Sequence, residues 1–230
     1  MKKILASLVV LFFVSTAQAQ QDAYAQTGQP EKIRLNIYGN YAFDDKVDNA
    51  YSYGSEGFFN AKIQGSFLWG AGLEYRLHQT YGLELMYLRQ DTHAPVDYWD
   101  YYSPVPGNKH TTLDLSLNYI MLGGVRSFKA NSKVEPFGGF MLGMAIIDSK
   151  NPEDNISNSA TKFAWGARLG TNIWASEKVG VKLQAQFLSV TQGAGGGLYF
   201  GTGGAGAGVS TYSSMLQFVL GGGLVFKLGH

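Results

Sequence analysis

The chain has 230 residues and a formal net charge of +1, and only 15% of its residues are charged, against roughly a quarter in soluble domains. That balance excludes the basic face a nucleic-acid partner requires, and the absence of cysteine excludes disulfide scaffolds, thiolate catalysis and thiolate metal sites. Aromatics reach 14% and glycines number 30, an unusual pairing for a chain so poor in charge.

Met1 to Ala19 reads as a secretory signal peptide, with Lys2 and Lys3 as the charged start, Ile4 to Val14 as the apolar run and Ala17-Gln18-Ala19 as the cleavage site. The apolar run is about half the length that a spanning helix needs, so an anchor is the weaker reading. Residues 20–30 form a polar segment rich in Gln, and 31–230 form one domain. No later apolar run is long enough for a spanning helix, so any membrane crossing falls to strands.

Strict alternation then predicts strands in chain order. The first, about Lys32 to Phe43, sets Ile33, Leu35, Ile37, Tyr41 and Phe43 against Arg34, Asn36 and Asn40. The second, about Ala61 to Leu77, sets Phe67, Trp69, Leu73 and Tyr75 against Gln64, Ser66, Glu74 and Arg76, and turns at His78-Gln79-Thr80. The third, Tyr81 to Arg89, points Leu83, Leu85 and Tyr87 outward and Glu84 and Met86 inward. The fourth, about Thr112 to Phe128, is read with Leu113, Leu115, Leu117, Tyr119, Met121 and Val125 on the apolar outer face and Asp114, Ser116, Asn118 and Arg126 opposite. The fifth, Val134 to Ile147, presents Phe140, Leu142, Met144 and Ile146 outward. Strands six and seven form a long hairpin from Phe163 to Leu188, in which Phe163, Trp165, Leu169, Val181, Leu183 and Phe187 oppose Arg168, Asn172, Lys182, Gln184 and Gln186. The eighth, Ser214 to Leu228, sets Leu216, Phe218, Leu220, Leu224 and Phe226 against Gln217, Gly221, Gly223 and Lys227.

Connections after the even strands are short and those after the odd strands are long, the asymmetry of periplasmic turns and extracellular loops. Aromatics collect near strand ends as two girdles, Tyr75, Tyr81, Trp174 and Phe226 on one side and Phe43, Tyr87, Phe163, Phe187 and Tyr212 on the other. The expected fold is therefore all-β, an eight-stranded antiparallel transmembrane up-and-down β-barrel. A soluble barrel of lipocalin type would reverse the faces and carry a Lys- and Glu-rich exterior, whereas the polar face here is largely Gly, Ala, Ser and Asn.

Signal, parity and girdles together resemble the small eight-stranded outer membrane barrels, such as outer membrane protein X and the membrane domain of outer membrane protein A. The opening of strand five, Glu135-Pro136-Phe137-Gly138-Gly139-Phe140, is similar to that family's Gly- and aromatic-rich texture. Members usually end on an aromatic residue, whereas Phe226 is followed here by Lys227-Leu228-Gly229-His230. The resemblance implies the outer membrane of a Gram-negative bacterium, both termini in the periplasm, a monomer, and lipids and lipopolysaccharide as neighbours.

The candidate site residues fall into two groups. Glu74, Glu84, Asp114, Arg126, Arg168 and Lys182 are expected to form a lumen charge network, because eight strands leave an interior just wide enough for side chains or one small ligand. Tyr98, Trp99, Tyr101 and Tyr102 in the second long loop, with Tyr51, Tyr53, Phe58 and Phe59 from the first, suit a contact patch or an extended girdle. His93 and His110, near Asp91, Asp97 and Asp100, have the elements of a base with an orienting carboxylate, but no nucleophilic serine motif accompanies them. Asp44, Asp45 and Asp48 lack the spacing of a calcium loop. Gly201 to Gly206 matches a dinucleotide-binding spacing without its strand and helix, and reads as part of a flexible loop from Ser189 to Ser213. The expectation is a structural or surface-interaction barrel with no catalysis, cofactor or metal; the alternatives are a narrow channel or carrier for small solutes and a surface lipid-modifying enzyme.

Overall fold

The computed structural model describes residues 32–50, 59–100, 107–128, 133–152, 155, 157–191, 197–201, 204–208 and 215–228. The expected signal peptide and polar segment lie outside the described residues. Twelve strands occur in the order β1 (Ile33–Ala42), β2 (Asp45–Ala50), β3 (Phe59–Ile63), β4 (Ser66–Arg76), β5 (Tyr81–Asp100), β6 (Gly107–Ser127), β7 (Val134–Lys150), β8 (Ser157–Trp174), β9 (Val179–Thr191), β10 (Gly197–Gly201), β11 (Gly204–Gly208) and β12 (Met215–Leu228).

Eight of them, β1, β4, β5, β6, β7, β8, β9 and β12, pair antiparallel with their neighbours, and β1 closes on β12 through Ile33↔Leu228 to Ala42↔Val219. The chain is thus an eight-stranded transmembrane up-and-down barrel with no open edge in the spanning part. Closure is obligatory, because each unpaired backbone group facing hydrocarbon would cost several kcal/mol, of order 2–7. β2 and β3 continue the first two barrel strands beyond a break, and β3 pairs with β5 through Phe59↔Tyr98. β10 and β11 form a separate two-stranded antiparallel ribbon within the expected glycine loop, with Gly201 opposite Gly204 and Phe200 opposite Ala205.

Short turns join the strands at one end. Leu77 and His78 both donate backbone N–H to Tyr81 O at 3.0 Å. Ala175 and Ser176 do the same to Val179 O at 3.0 Å, and the Ser176 hydroxyl accepts the Val179 N–H at 3.1 Å. These side-chain and backbone bonds fix the reversal that the long hairpin needs.

Around the spanning part the outer face is apolar: Leu183 is 50% exposed, Phe67 61% and Leu169 71%, areas no water-soluble barrel leaves bare in one belt. The register makes this belt a set of rows. Leu85, Leu122, Leu142 and Trp165 lie side by side across β5 to β8, and Tyr87, Ile120, Met144 and Phe163 form the next row. One step further the row is Arg89, Asn118, Ile146 and Thr161; then come Asp91, Ser116, Asp148 and Ser159. The lipid zone therefore ends just beyond Tyr87, and the strands carry on above it.

That extension overturns two expectations. The third and fourth strands do not stop at Arg89 and begin at Thr112; their ladder runs on to Asp100↔Gly107, and only 101–106 separate them. The faces of β6 are also the reverse of the reading: Leu113, Leu115, Leu117, Tyr119, Met121 and Val125 are buried inside, while Asp114, Ser116, Asn118 and Arg126 point outward. For Leu113 to Leu117 the physical reason is the change of solvent: where β6 stands above the belt its outside meets water, so it adopts the apolar-in, polar-out pattern of a soluble strand. Within the belt Ile120 and Leu122 take the lipid face, and alternation turns Tyr119, Met121 and Val125 inward. Trp174 departs from the expected girdle as well. It turns inward, 9% exposed, beneath the cations of Lys227 at 4.1 Å and Arg34 at 5.1 Å from the ring centroid.

Placing a charge on each kind of outer face separates the two zones. Leu183→Arg is expected to cost about 2–4 kcal/mol, whereas Thr112→Arg, outward on β6 above the belt, stays within about 0.5 kcal/mol of wild type. Urea unfolding in lipid, followed by tryptophan fluorescence, measures both.

Candidate functional site

The lumen is built in layers. Nearest the short turns, Arg34 forks onto Glu135 at 2.6 and 3.2 Å, and Asn172 and the Trp174 indole N–H also reach that carboxylate, at 3.4 and 3.3 Å. Beside them Arg76 donates to Glu74 at 3.0 Å, to the Ser127 hydroxyl at 2.7 Å and to the Gln79 carbonyl. Each partner arrives because alternation on β1, β4 and β7 turns one residue in two inward.

The next layer centres on Glu84, which is 0% exposed and accepts from Arg168, from the Tyr38 hydroxyl and from Asn36 Nδ2, the last at 2.9 Å. Arg168 Nη1 donates to the Tyr38 hydroxyl at 2.9 Å, and its guanidinium lies 5.7 Å from the Phe137 ring centroid. Lys182, 1% exposed, sets its ammonium over Phe137 at 4.5 Å and Tyr38 at 5.6 Å. Aromatic faces thus supplement the carboxylates of Glu84 and Glu74 near the two buried cations. Gly72 makes room for Glu84, since a Cβ there would lie 2.0 Å from Glu84 Oε1.

Above this layer come carboxamides and then hydrocarbon. Gln184 Nε2 donates to Asn40 Oδ1 and to Gln186 Oε1, each at 3.4 Å, and the Tyr119 hydroxyl meets Gln217 Oε1 at 3.5 Å. Leu68, Leu88, Leu117, Met121, Met141 and Leu188 are all 0% exposed and plug the remaining width.

Of the six expected lumen residues, Glu74, Glu84, Arg168 and Lys182 face the interior, where Glu84, Arg168 and Lys182 come together. Asp114 and Arg126 do not. Asp114 sits on the outer wall with its side chain 51% exposed, and Arg126 lies on the outer face near the short turns, 5.2 Å from the Tyr81 ring and 5.0 Å from that of Phe128. A cation at the edge of a lipid belt is tolerated there because its head can reach the interface. Arg34, Arg76 and Glu135 are lumen partners that the sequence reading missed; Arg34 and Arg76 stood on the polar faces of their strands, which was the available signal.

The outer wall above the belt holds a second cluster. Arg89 pairs with Asp91 through bonds of 3.0 and 2.8 Å, and the Ser116 hydroxyl donates to the same carboxylate. Arg89 and Ser116 hold the Asp91 carboxyl below its ordinary range through these hydrogen bonds. His93 Nδ1 lies 2.9 Å from Asp114, directly across the ladder, and His110 Nδ1 lies 2.7 Å from Asp97. Asp100 closes the far end of β5. Asp44 is occupied by Lys62 and by the Gly65 N–H at 2.6 Å, while Asp45 accepts the Leu216 N–H at 2.9 Å. Tyr98 and Trp99 fall on the far end of β5, opposite Lys109 and Asn108. Tyr51, Tyr53, Phe58, Tyr101 and Tyr102 lie outside the described residues, although the backbone does bring Phe59 opposite Tyr98.

No family model and no curated protein matches the chain. Among solved structures it is similar to Neisserial surface protein A, with a TM-score of 0.53 and 15% identity over 85% of this chain and 97% of that one. It is also similar to the outer membrane protein OprG from Pseudomonas aeruginosa, with a TM-score of 0.51 and 14% identity over 88% and 99% of the two chains. The shared property is the fold, that of the eight-stranded outer membrane barrels.

The Glu84 layer has a measurable consequence. Glu84→Gln removes the carboxylate charge shared by Arg168 and Lys182 and is expected to cost about 3–5 kcal/mol. Adding Arg168→Met to it restores part of the loss, giving a double-mutant coupling of about 0.5–3 kcal/mol in denaturant unfolding.

Proposed function

We propose that this chain is a monomeric, non-catalytic barrel of the Gram-negative outer membrane, with both termini in the periplasm, that serves contact at the cell surface and does not conduct. The observation that carries this reading is the filled lumen beneath a projecting hairpin. Charged, amide and apolar layers occupy the interior in turn, with Arg168, Lys182, Met121 and Met141 each no more than 2% exposed. Meanwhile the β5–β6 ladder continues well past the last apolar row on the outside. Support for the location comes from the apolar belt, from the short turns at one end, and from the fold shared with proteins named for the outer membrane and the cell surface. Outer membrane lipids, including lipopolysaccharide, are its first partners on this reading, with the aromatics Tyr98, Trp99, Tyr101 and Tyr102 as its contact residues.

A second reading, a lipid-modifying enzyme, gains from the two His–Asp pairs, in which a carboxylate orients the imidazole as a general base requires. Among the described residues, though, neither imidazole is hydrogen-bonded to a serine.

In planar bilayers the folded protein is expected to give no stepwise conductance, and a steady conductance would establish the narrow channel instead. Lipid A from cells carrying His93→Ala is expected to match wild type in mass; a lost modification would favour the enzyme.

A further inference from the structure

The outer wall of β5 to β8 is hollowed just above the belt. Four segments line a cavity of about 580 Å³, residues 91–93, 114–116, 148–150 and 157–159. In each segment the first and third residues point outward and the middle one inward, so the hollow lies on the outside of the barrel. We propose that it seats the sugar head group of a glycolipid in the outer leaflet, as in lipopolysaccharide. The inference rests on the outer membrane location argued above and deepens it by naming the site.

Height is the first argument. The lower row of the hollow, Asp91, Ser116, Asp148 and Ser159, stands four residues beyond Tyr87, Ile120, Met144 and Phe163, the last apolar row. At about 3.3 Å per residue and the tilt of barrel strands this is roughly 10 Å along the membrane normal. The polar interface of a phospholipid leaflet is only about 5–7 Å deep. A phospholipid phosphate therefore falls below the hollow, while the sugars of a larger head group reach it.

Chemistry is the second. Sugar hydroxyls both donate and accept, and the hollow offers both kinds of partner on a prearranged surface. Asp91 is held by Arg89 and Ser116, and Asp114 by His93, so their positions are set before any ligand arrives. Asp148 and Lys150 are exposed in the same hollow and, among the described residues, make no ion pair with any side chain. Lys150 supplies a donor and Asp148 an acceptor for sugar hydroxyls, with the β8 serines alongside. Every outward residue lining the hollow carries a polar group.

The test uses the full chain folded in nanodiscs, titrated with rough lipopolysaccharide that retains its core sugars and, in parallel, with phosphatidylglycerol. The combined variant Asp148→Ala/Lys150→Ala is expected to bind the lipopolysaccharide about tenfold more weakly, the equivalent of one lost charge-assisted bond. Ser159→Trp, which fills the hollow without removing a charge, is expected to do the same. Phosphatidylglycerol binding should not change. Both variants must keep heat-modifiable mobility, and since they alter exposed residues the fold is expected to survive. Equal lipopolysaccharide binding by wild type and both variants would overturn the proposal, as would an equal loss for phosphatidylglycerol. Cell fractionation separates the two levels: a barrel found outside the outer membrane sinks the functional reading, whereas one found there with unaltered binding sinks only this site.

Discussion

A closed antiparallel ladder that runs from hydrocarbon into water is the constraint on which the rest of this structure depends. Closure satisfies the backbone, through the β1–β12 seam as through every other pair, and so leaves side chains free to follow the solvent. Within the belt the outside must be apolar, which releases the interior to hold polar groups. Above the belt the outside must be polar, and the interior becomes the hydrophobic core of an ordinary soluble sheet. The same β6 strand shows both regimes: Ile120 and Leu122 face lipid, while Asp114 and Ser116 face water a few residues earlier.

The change of interior follows from this. Charges are concentrated toward the short turns, where Arg34, Glu135, Arg76, Glu74, Glu84, Arg168 and Lys182 pair or share partners. Burying such groups rarely yields net stability over a hydrocarbon filling. Their benefit lies in specificity, because a bidentate Arg34–Glu135 contact between β1 and β7 or an Arg168–Glu84 contact between β8 and β5 joins strands far apart in sequence and holds one register across the lumen. Toward the other end the Met121, Met141, Leu88 and Leu188 side chains exclude water, so a solute would have to displace close-packed hydrocarbon after breaking an ion pair.

The sequence made the lipid-facing strands readable and the projecting ones misleading. In the Phe163 to Leu188 hairpin the apolar side chains are large and the polar positions are Arg168, Lys182 and glutamines, and the structure faces them as read. Alternation alone carries no sign, however. Leu113, Leu115 and Leu117 against Asp114 and Ser116 looks the same whether leucine meets lipid or core, and only the height of the segment decides. The same ambiguity hid the extension of β5, since Thr92, Ala94 and Val96 are small enough to pass for loop residues yet fill an interior between Asp91, His93 and Asp97. Pairings across the lumen were out of reach for a different reason: Arg34 and Glu135 are separated by 101 residues, and no local pattern encodes which inward group meets which.

Continuity of the ladder also bears on how the surface can act. A hairpin tethered only at the membrane would sample many orientations and lose entropy on each contact. Here β5 and β6 stay paired from Tyr81↔Arg126 to Asp100↔Gly107, and Leu113, Leu115, Val96 and Ile147 give the projecting part its own apolar packing. The groups on its outer wall are thereby fixed in relation to the belt below. Arg89 on Asp91 and His93 on Asp114 contribute little to stability at such exposure. Their consequence is geometric: paired side chains hold still, and a wall of still polar groups at a set height above lipid can recognise what that height contains.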